Sequence, residues 1–98
     1  MTLEPYEEEV LVRMYDKELI MMRYTSIQRI RGMIRWDEIA QKYGVKRSLN
    51  KVFRHLFNTG YVSDHGKSGD VASLTKIGVE YVLQRTSRQP SRTPFFNR

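Results

Sequence analysis

Residues 36–60 read WDEIAQKYGVKRSLNKVFRHLFNTG, and this stretch predicts two helices joined by a tight turn. The first helix has its apolar residues at the spacing of one helix face: Trp36, Ile39, Ala40 and Tyr43. Gly44 follows at a position where helices often end in a left-handed residue. The second helix has its own apolar stripe, formed by Leu49, Val52, Phe53, Leu56 and Phe57. Each helix therefore has one face to bury against the rest of the chain.

The face of the second helix opposite to this stripe is basic and polar, and consists of Arg47, Asn50, Lys51, Arg54 and Asn58. Ser48 and His55 lie at its edges, and no acidic residue lies between Gly44 and Asp64. Arg, Lys and Asn side chains hydrogen-bond phosphates and base edges, Arg and Lys mostly at guanine and Asn at adenine. The face is therefore a candidate DNA-binding surface, although Lys and Arg are also ordinary residues of a solvated helix face.

The formal net charge of this 98-residue chain is +6, and the charge is unevenly distributed. Residues 28–54 carry eight basic and two acidic side chains, whereas residues 1–27 carry three basic and six acidic ones. Positive charge concentrated at the two-helix unit favours a polyanionic partner. A chain of this length has room for one domain with a small core, so a partner subunit is expected to help stabilise it.

Composition excludes several other classes of protein. No run approaches the roughly 20 apolar residues of a membrane span. The acidic start of the chain is unlike a secretory or transit peptide, and we expect a cytoplasmic protein that is nucleoid-associated when DNA-bound. Cysteine is absent, which excludes disulfides and thiolate metal sites.

The region before residue 36 leaves two alternatives open. Thr2 or Glu4 can cap a first helix, and apolar residues then recur from Tyr6 to Ile30. They fit either one long helix or two helices broken near residues 16 and 17. We expect residues 33–35 to form a short extended piece after Gly32, with Arg35 able to reach flanking phosphates. The abundant apolar surface predicts either a dimer interface or simple core packing.

The region after the second helix predicts a β-hairpin and a last helix. Gly60 suits a helix end, residues 61–63 and 71–74 favour two strands, and Thr75 can cap the final helix. We therefore expect one domain over residues 1–85 and a basic, disordered tail over residues 86–98. Arg88, Arg92 and Arg98 could add attraction to DNA, and Phe95 with Phe96 could dock on a protein partner.

The predicted order of elements is helix, short strand, helix, turn, basic helix, hairpin and closing helix. This order resembles that of the winged helix-turn-helix family of DNA-binding proteins. The segments that carry the resemblance are residues 36–45, 46–57, 58–62 and 74–82. The resemblance implies a mainly α fold with a small β-hairpin, an N-terminal helical extension and a closing C-terminal helix. Among small proteins of this type, the chain resembles PadR-like regulators and a winged-helix centromere-binding protein of archaeal plasmid partition.

The same resemblance implies a DNA-binding site. In the family pattern, the major groove would receive Arg47, Ser48, Asn50, Lys51 and Arg54. Lys67, at the tip of the hairpin, would approach an adjacent backbone or minor groove, and Lys46 and Arg35 complete the predicted site.

We therefore expect a homodimer that binds double-stranded DNA sequence-specifically with helix 47–58 and regulates transcription. The first alternative is a centromere-binding protein that spreads along a partition site, and the second is a winged-helix module for protein or RNA contacts. We expect no catalysis, cofactor or metal, because His55 and His65 fit no ligand spacing and the adjacent Asp37 and Glu38 point to different sides of their helix.

Overall fold

Helix α1 spans Pro5–Asp16 in the computed structural model, which describes residues 3–67 and 69–86. Glu4 precedes the helix, and its backbone N–H donates to the Glu7 carboxylate at 2.9 Å. Pro5 occupies the first turn, where its missing N–H costs no intrahelical bond. Glu4 is thus confirmed as the cap. Thr2, the other predicted cap, lies outside the described residues.

The chain leaves the helix after Asp16, which confirms the alternative with a break near residues 16 and 17. The second helix does not begin at once, however, because the next residues bond to a strand. The Leu74 N–H donates to the Leu19 carbonyl at 2.9 Å, and the Met21 N–H donates to the Leu74 carbonyl at 2.7 Å. The short strand β1 follows at Thr25–Ser26.

Helices α2 (Ile27–Met33) and α3 (Trp36–Tyr43) are joined by a two-residue turn at 34–35, within the stretch that we expected to be extended. That expectation is wrong, because α2 runs through Gly32 and Ile34 keeps a helical backbone. The chain turns instead at Arg35, whose φ of 56° and ψ of 57° are left-handed. Burial of Ile27, Ile30 and Ile34, which recur at helical spacing, favours this arrangement over an extended one.

Helix α4 spans Leu49–Thr59, so the predicted start at residue 47 is two residues too early. Ser48 is the N-cap, and its hydroxyl accepts the Lys51 N–H at 3.3 Å. Gly44 and Gly60 both have positive φ and end α3 and α4 as predicted.

Strands β2 (Val62–Asp64) and β3 (Val71–Leu74) form the predicted hairpin. They pair antiparallel with Val62 opposite Leu74, and a short 3-10 helix, His65–Lys67, lies in the connection. β1 pairs with the other edge of β3, so the described sheet has three strands in the order β1-β3-β2. The third strand was not predicted.

Helix α5 spans Lys76–Arg85 and packs against α1. Thr75 caps it as predicted, since its hydroxyl accepts the Gly78 N–H at 3.0 Å. Gly78 lies against the backbone of Tyr61, and a Cβ at this position would overlap the Tyr61 carbonyl oxygen. Most of the predicted tail, residues 87–98, lies outside the described residues.

One hydrophobic core joins the helices to the sheet. Helix α1 contributes to it, because Val10, Leu11 and Met14 are completely buried. Intramolecular packing therefore accounts for most of the apolar surface that α1 presents in the sequence. The prediction of a mainly helical protein with a small β-hairpin is confirmed by these elements. Among the described helices, none combines the length and apolar character needed to cross a membrane.

Candidate nucleic-acid interface

Helix α4 presents one buried and one exposed face. Its buried face supplies the core with Leu49, Val52, Phe53 and Leu56. The opposite face carries exposed polar and basic residues, namely Asn50, Lys51, Arg54 and Asn58. Because the helix is held along its apolar side, these four side chains face solvent on one rigid element.

The turn before α4 adds charge to the same end of the helix. Lys46 and Arg47 are exposed and precede the cap, so they lie in the turn rather than on the helix. Ser48 is exposed as well, but its hydroxyl already accepts a backbone hydrogen bond. Burial and the nearby Glu7 carboxylate raise the pKa of Tyr6, and the positive charge of Arg47 opposes this rise.

The basic residues of α4 and its turn differ from most other cations of the described chain in their electrostatic partners. Six basic side chains elsewhere form ion pairs with carboxylates: Arg13, Arg23, Arg31, Arg35, Lys42 and Arg85. Within residues 3–67 and 69–86, Lys46, Arg47, Lys51 and Arg54 form no ion pair. Their charges are not neutralised by a neighbouring carboxylate and are available to an external anion.

Arg35, a predicted site residue, lies away from this surface. It precedes α3 and forms an ion pair with Glu38 at 3.3 Å. It lines clefts with residues of α1 and α3, including Arg13 and Asp37, rather than with residues of α4. The extended piece expected around Arg35 is instead the turn between α2 and α3, and the contact of Arg35 with flanking phosphates stays a prediction.

A cleft of about 360 Å³ lies between α2, the start of α4 and the loop before β3. The polar residues that line it are Ser26, Gln28, Arg31, Asn50 and Asp70. Asn50 was a predicted site residue, whereas Gln28 and Arg31 were not. The excess of positive charge in residues 28–54 was the only feature of the sequence that pointed to Arg31 as a site residue. Arg31 and α4 are far apart along the chain, so no local spacing could indicate that they lie side by side.

The loop between β2 and β3 has a defined backbone at its base. The Asp64 carboxylate accepts the Gly69 N–H at 3.0 Å, and the His65 ring packs on Tyr24 with 4.4 Å between ring centroids. Lys67 belongs to this loop, as predicted, but its side chain lies outside the described atoms.

His55 connects α4 to α1. Its Nδ1 atom lies 2.5 Å from a carboxylate oxygen of Glu7, and the other oxygen of that carboxylate accepts the Glu4 N–H. Glu7 is only 1% exposed, whereas His55 is 40% exposed. Sequence reasoning treated Glu7 as one of several surface glutamates and missed this contact, which fixes α4 against the first helix.

The acidic residues that could have suggested catalysis are engaged in ion pairs. Asp37 bonds to Arg31 at 2.9 Å. Glu38 bonds to Arg13 at 3.1 Å and to Arg35. The hydrogen bond from Arg13 lowers the pKa of Glu38, and Arg35 adds to this effect although slight burial opposes it. In the part of the chain that the structure describes, no group of three or more His, Cys, Asp or Glu residues could hold a metal ion.

In three comparisons with known proteins, no family model, no curated protein and no solved structure matched this chain.

Proposed function

We propose that the protein binds double-stranded DNA as a winged helix-turn-helix protein, with α4 as its recognition helix. The observation that carries the proposal is the exposed face of α4 with its turn. Lys46 and Arg47 in the turn and Lys51 and Arg54 on the helix are four cations without ion pairs among the described residues. The same surface carries two exposed asparagines, and the other face of the helix is buried. A surface of this kind matches the phosphate and base-edge chemistry of duplex DNA.

The order of elements supports a winged-helix arrangement. Helices α3 and α4 are separated by a short turn, and the β2–β3 hairpin follows α4 directly. Strand β1 precedes α2 rather than α3 and pairs with the hairpin strand β3. Helix α5 then corresponds to the closing helix of the proposed fold. In such a fold the hairpin lies beside the recognition helix and reaches the neighbouring DNA backbone.

The residues of the proposed interface divide by chemistry. Asn50 and Arg54 lie on the first turns of α4 and have the planar donor groups that read adenine and guanine. Lys46, Arg47 and Lys51 are charges that suit phosphate contacts, which set affinity without carrying sequence information.

A homodimer that regulates transcription without enzymatic activity completes the proposal. Two copies would place two recognition helices in successive major grooves, about one helical turn apart. The described chain retains exposed apolar side chains that suit a contact between copies: Met22 is 84% exposed and Ile77 is 59% exposed.

Footprinting on the DNA that flanks the gene, with competitor DNA present and over a rising protein concentration, tests this function. We expect a compact protected region with two half-sites roughly one helical turn apart. Arg54→Gln should abolish this protection, whereas Arg23→Gln should keep it, because Arg23 is an exposed arginine that already forms an ion pair with Glu18.

Other footprints would contradict parts of this proposal. Protection that lengthens from one start site as the concentration rises would favour a centromere-binding protein that spreads along a partition site. An absence of binding to any duplex at low salt would overturn the DNA-binding function and favour a protein or RNA partner.

A further inference from the structure

Arg31 lines two neighbouring clefts. One is the cleft between α2 and α4, which it shares with Gln28 and Asn50. The other lies between α2 and the first turn of α3 and includes Asp37. The guanidinium bonds to Asp37 at 2.9 Å, so in this structure its charge is directed to the α3 side.

We propose that Arg31 exchanges Asp37 for a DNA backbone phosphate in the cleft beside Asn50, and that Asp37 thereby acts as a built-in competitor of DNA. This inference rests on the proposed DNA-binding function and adds a second contact to it. The phosphate holds α2, while α4 occupies the major groove. Asp37 then sets how strongly the protein binds all DNA, independent of sequence.

The exchange requires little free energy. Arg31 is 51% exposed and Asp37 is 85% exposed, and ion pairs with such access to water contribute little to stability. A phosphate offers a guanidinium the same kind of oxygen acceptor as a carboxylate, so the hydrogen bond lost to Asp37 is replaced in kind. Asp37 keeps a favourable position after the exchange, because it lies in the first turn of α3, at the positive end of that helix dipole.

The cleft supplies further groups for a phosphate. The amides of Gln28 and Asn50 line it together with Arg31, and an amide N–H donates to phosphate oxygens. Asp70 lines the same cleft from the loop before β3, so its negative charge opposes an anion there. The arginine is therefore needed to offset Asp70, and the amides alone are not expected to hold a phosphate.

Binding to a cognate and to a random duplex, each measured over a series of salt concentrations, tests the inference. Arg31→Ala should weaken binding to both duplexes equally, by about fivefold to tenfold, and should lower the steepness of the salt dependence by about 0.9. Asp37→Asn should strengthen binding to both by about twofold to fivefold, since it releases Arg31. Arg31→Lys keeps the charge and should retain the salt dependence.

The double variant separates competition from a general charge effect. In an Arg31→Ala background, Asp37→Asn should add almost nothing, because no arginine remains to be released. The matched controls are Arg23→Ala and Glu18→Gln, which alter another exposed Arg–carboxylate pair, joined at 3.2 Å. Both controls should leave affinity within about twofold of wild type, since Arg23 lines neither cleft.

Two results would overturn the inference. One is an Arg31→Ala protein that keeps wild-type affinity and salt dependence while Arg54→Gln loses binding, which leaves the proposed function intact. The other is an Asp37→Asn gain that is equally large with and without Arg31. Failure of the wild-type protein to bind any duplex at low salt would instead overturn the proposed function, and this inference with it.

Discussion

His55 on α4 is hydrogen-bonded to Glu7 on α1, and this contact places a nearly fully buried carboxylate under α4. His55→Ala removes this side-chain partner, whereas the hydrogen bond from the Glu4 N–H to Glu7 is kept. We expect the free energy of unfolding to fall by about 1–3 kcal/mol, the cost of a buried polar group that loses its partner. Denaturant unfolding followed by circular dichroism measures this change.

The other histidine provides the control for this prediction. His65 is exposed and packs on Tyr24 in the hairpin loop, so His65→Ala should change the free energy of unfolding by less than about 0.5 kcal/mol. Equal losses in the two variants would contradict a structural role for the contact between Glu7 and His55.

Ser48 separates helix stability from DNA binding. Ser48→Ala removes the hydroxyl that accepts the Lys51 N–H and should cost about 1 kcal/mol of stability. Ser48→Asp keeps an N-cap acceptor and adds a charge that the helix dipole favours, so its thermal midpoint should equal or exceed that of wild type. The same aspartate should weaken DNA binding by about fivefold, because it repels phosphate. Wild-type DNA affinity in a stable Ser48→Asp protein would place the DNA elsewhere on the surface.

Substitution by alanine should have opposite effects on stability at Gly78 and at Gly32. Gly78→Ala would place a Cβ in collision with the Tyr61 carbonyl oxygen, so we expect a loss of about 1–3 kcal/mol as α5 shifts. Gly32 lies inside α2, where an added methyl group would have no neighbouring atom within 4 Å, and Gly32→Ala should gain about 0.5–1 kcal/mol of helix stability. Thermal unfolding of both variants measures the pair, and a stabilised Gly78→Ala protein would contradict the packing of α5.

Asn50 and Lys51 are adjacent, yet we expect them to contribute differently to DNA binding. Asn50→Ala should cost roughly 1–3 kcal/mol at the cognate site and little on random DNA, because we propose that its amide reads a base. Lys51→Ala should weaken binding to both duplexes and lower the salt slope by about 0.9, because we propose that its charge contacts phosphate. Anisotropy titrations on both duplexes measure the two effects. If Asn50→Ala lost the same binding free energy on the two duplexes, Asn50 would contact only the DNA backbone and not a base.

Ionisation of the Tyr81 hydroxyl should lower the stability of the protein at alkaline pH. Its hydroxyl donates to the Glu8 carboxylate at 2.7 Å. Burial and this bond raise the pKa of Tyr81 from 10.0 to about 12. A raised pKa means that the contribution of this bond is complete below about pH 10 and is lost as the pH rises to about 12. Tyr81→Phe should cost about 0.5–1.5 kcal/mol at neutral pH. The stability difference between the two proteins should narrow over the alkaline window, as measured by denaturant unfolding at each pH.

Local signals in the sequence were enough to predict the second half of the fold. Gly44 and Gly60 end their helices and Thr75 caps α5, because these effects depend on a few adjacent residues. The two apolar stripes of residues 36–60 also predicted which sides of α3 and α4 are buried, except at Tyr43, which was expected in the stripe of α3 and is exposed. The polar face of α4 followed from the same periodicity, so most of the candidate site could be predicted from the sequence.

The first half of the fold could not be predicted in the same way. Strand β1 has only two residues, Thr25–Ser26, and a strand of that length carries no alternating pattern. It exists because β3 supplies its hydrogen-bond partners from far along the chain. The left-handed turn at Arg35 is likewise a result of packing, since α2 and α3 must both bury apolar residues in one core.

The sequence by itself therefore determined the helix pair, its caps, the hairpin and the basic face of α4, all of which arise from local periodicity and turn chemistry. Only the tertiary structure decided that Glu7 is buried against His55 and that Arg31 lies beside Asn50. These contacts join residues from different helices. They form because α1, α2 and α4 pack on one shared core, which sets the relative positions of these helices. No single spacing of residues along the sequence specifies that core.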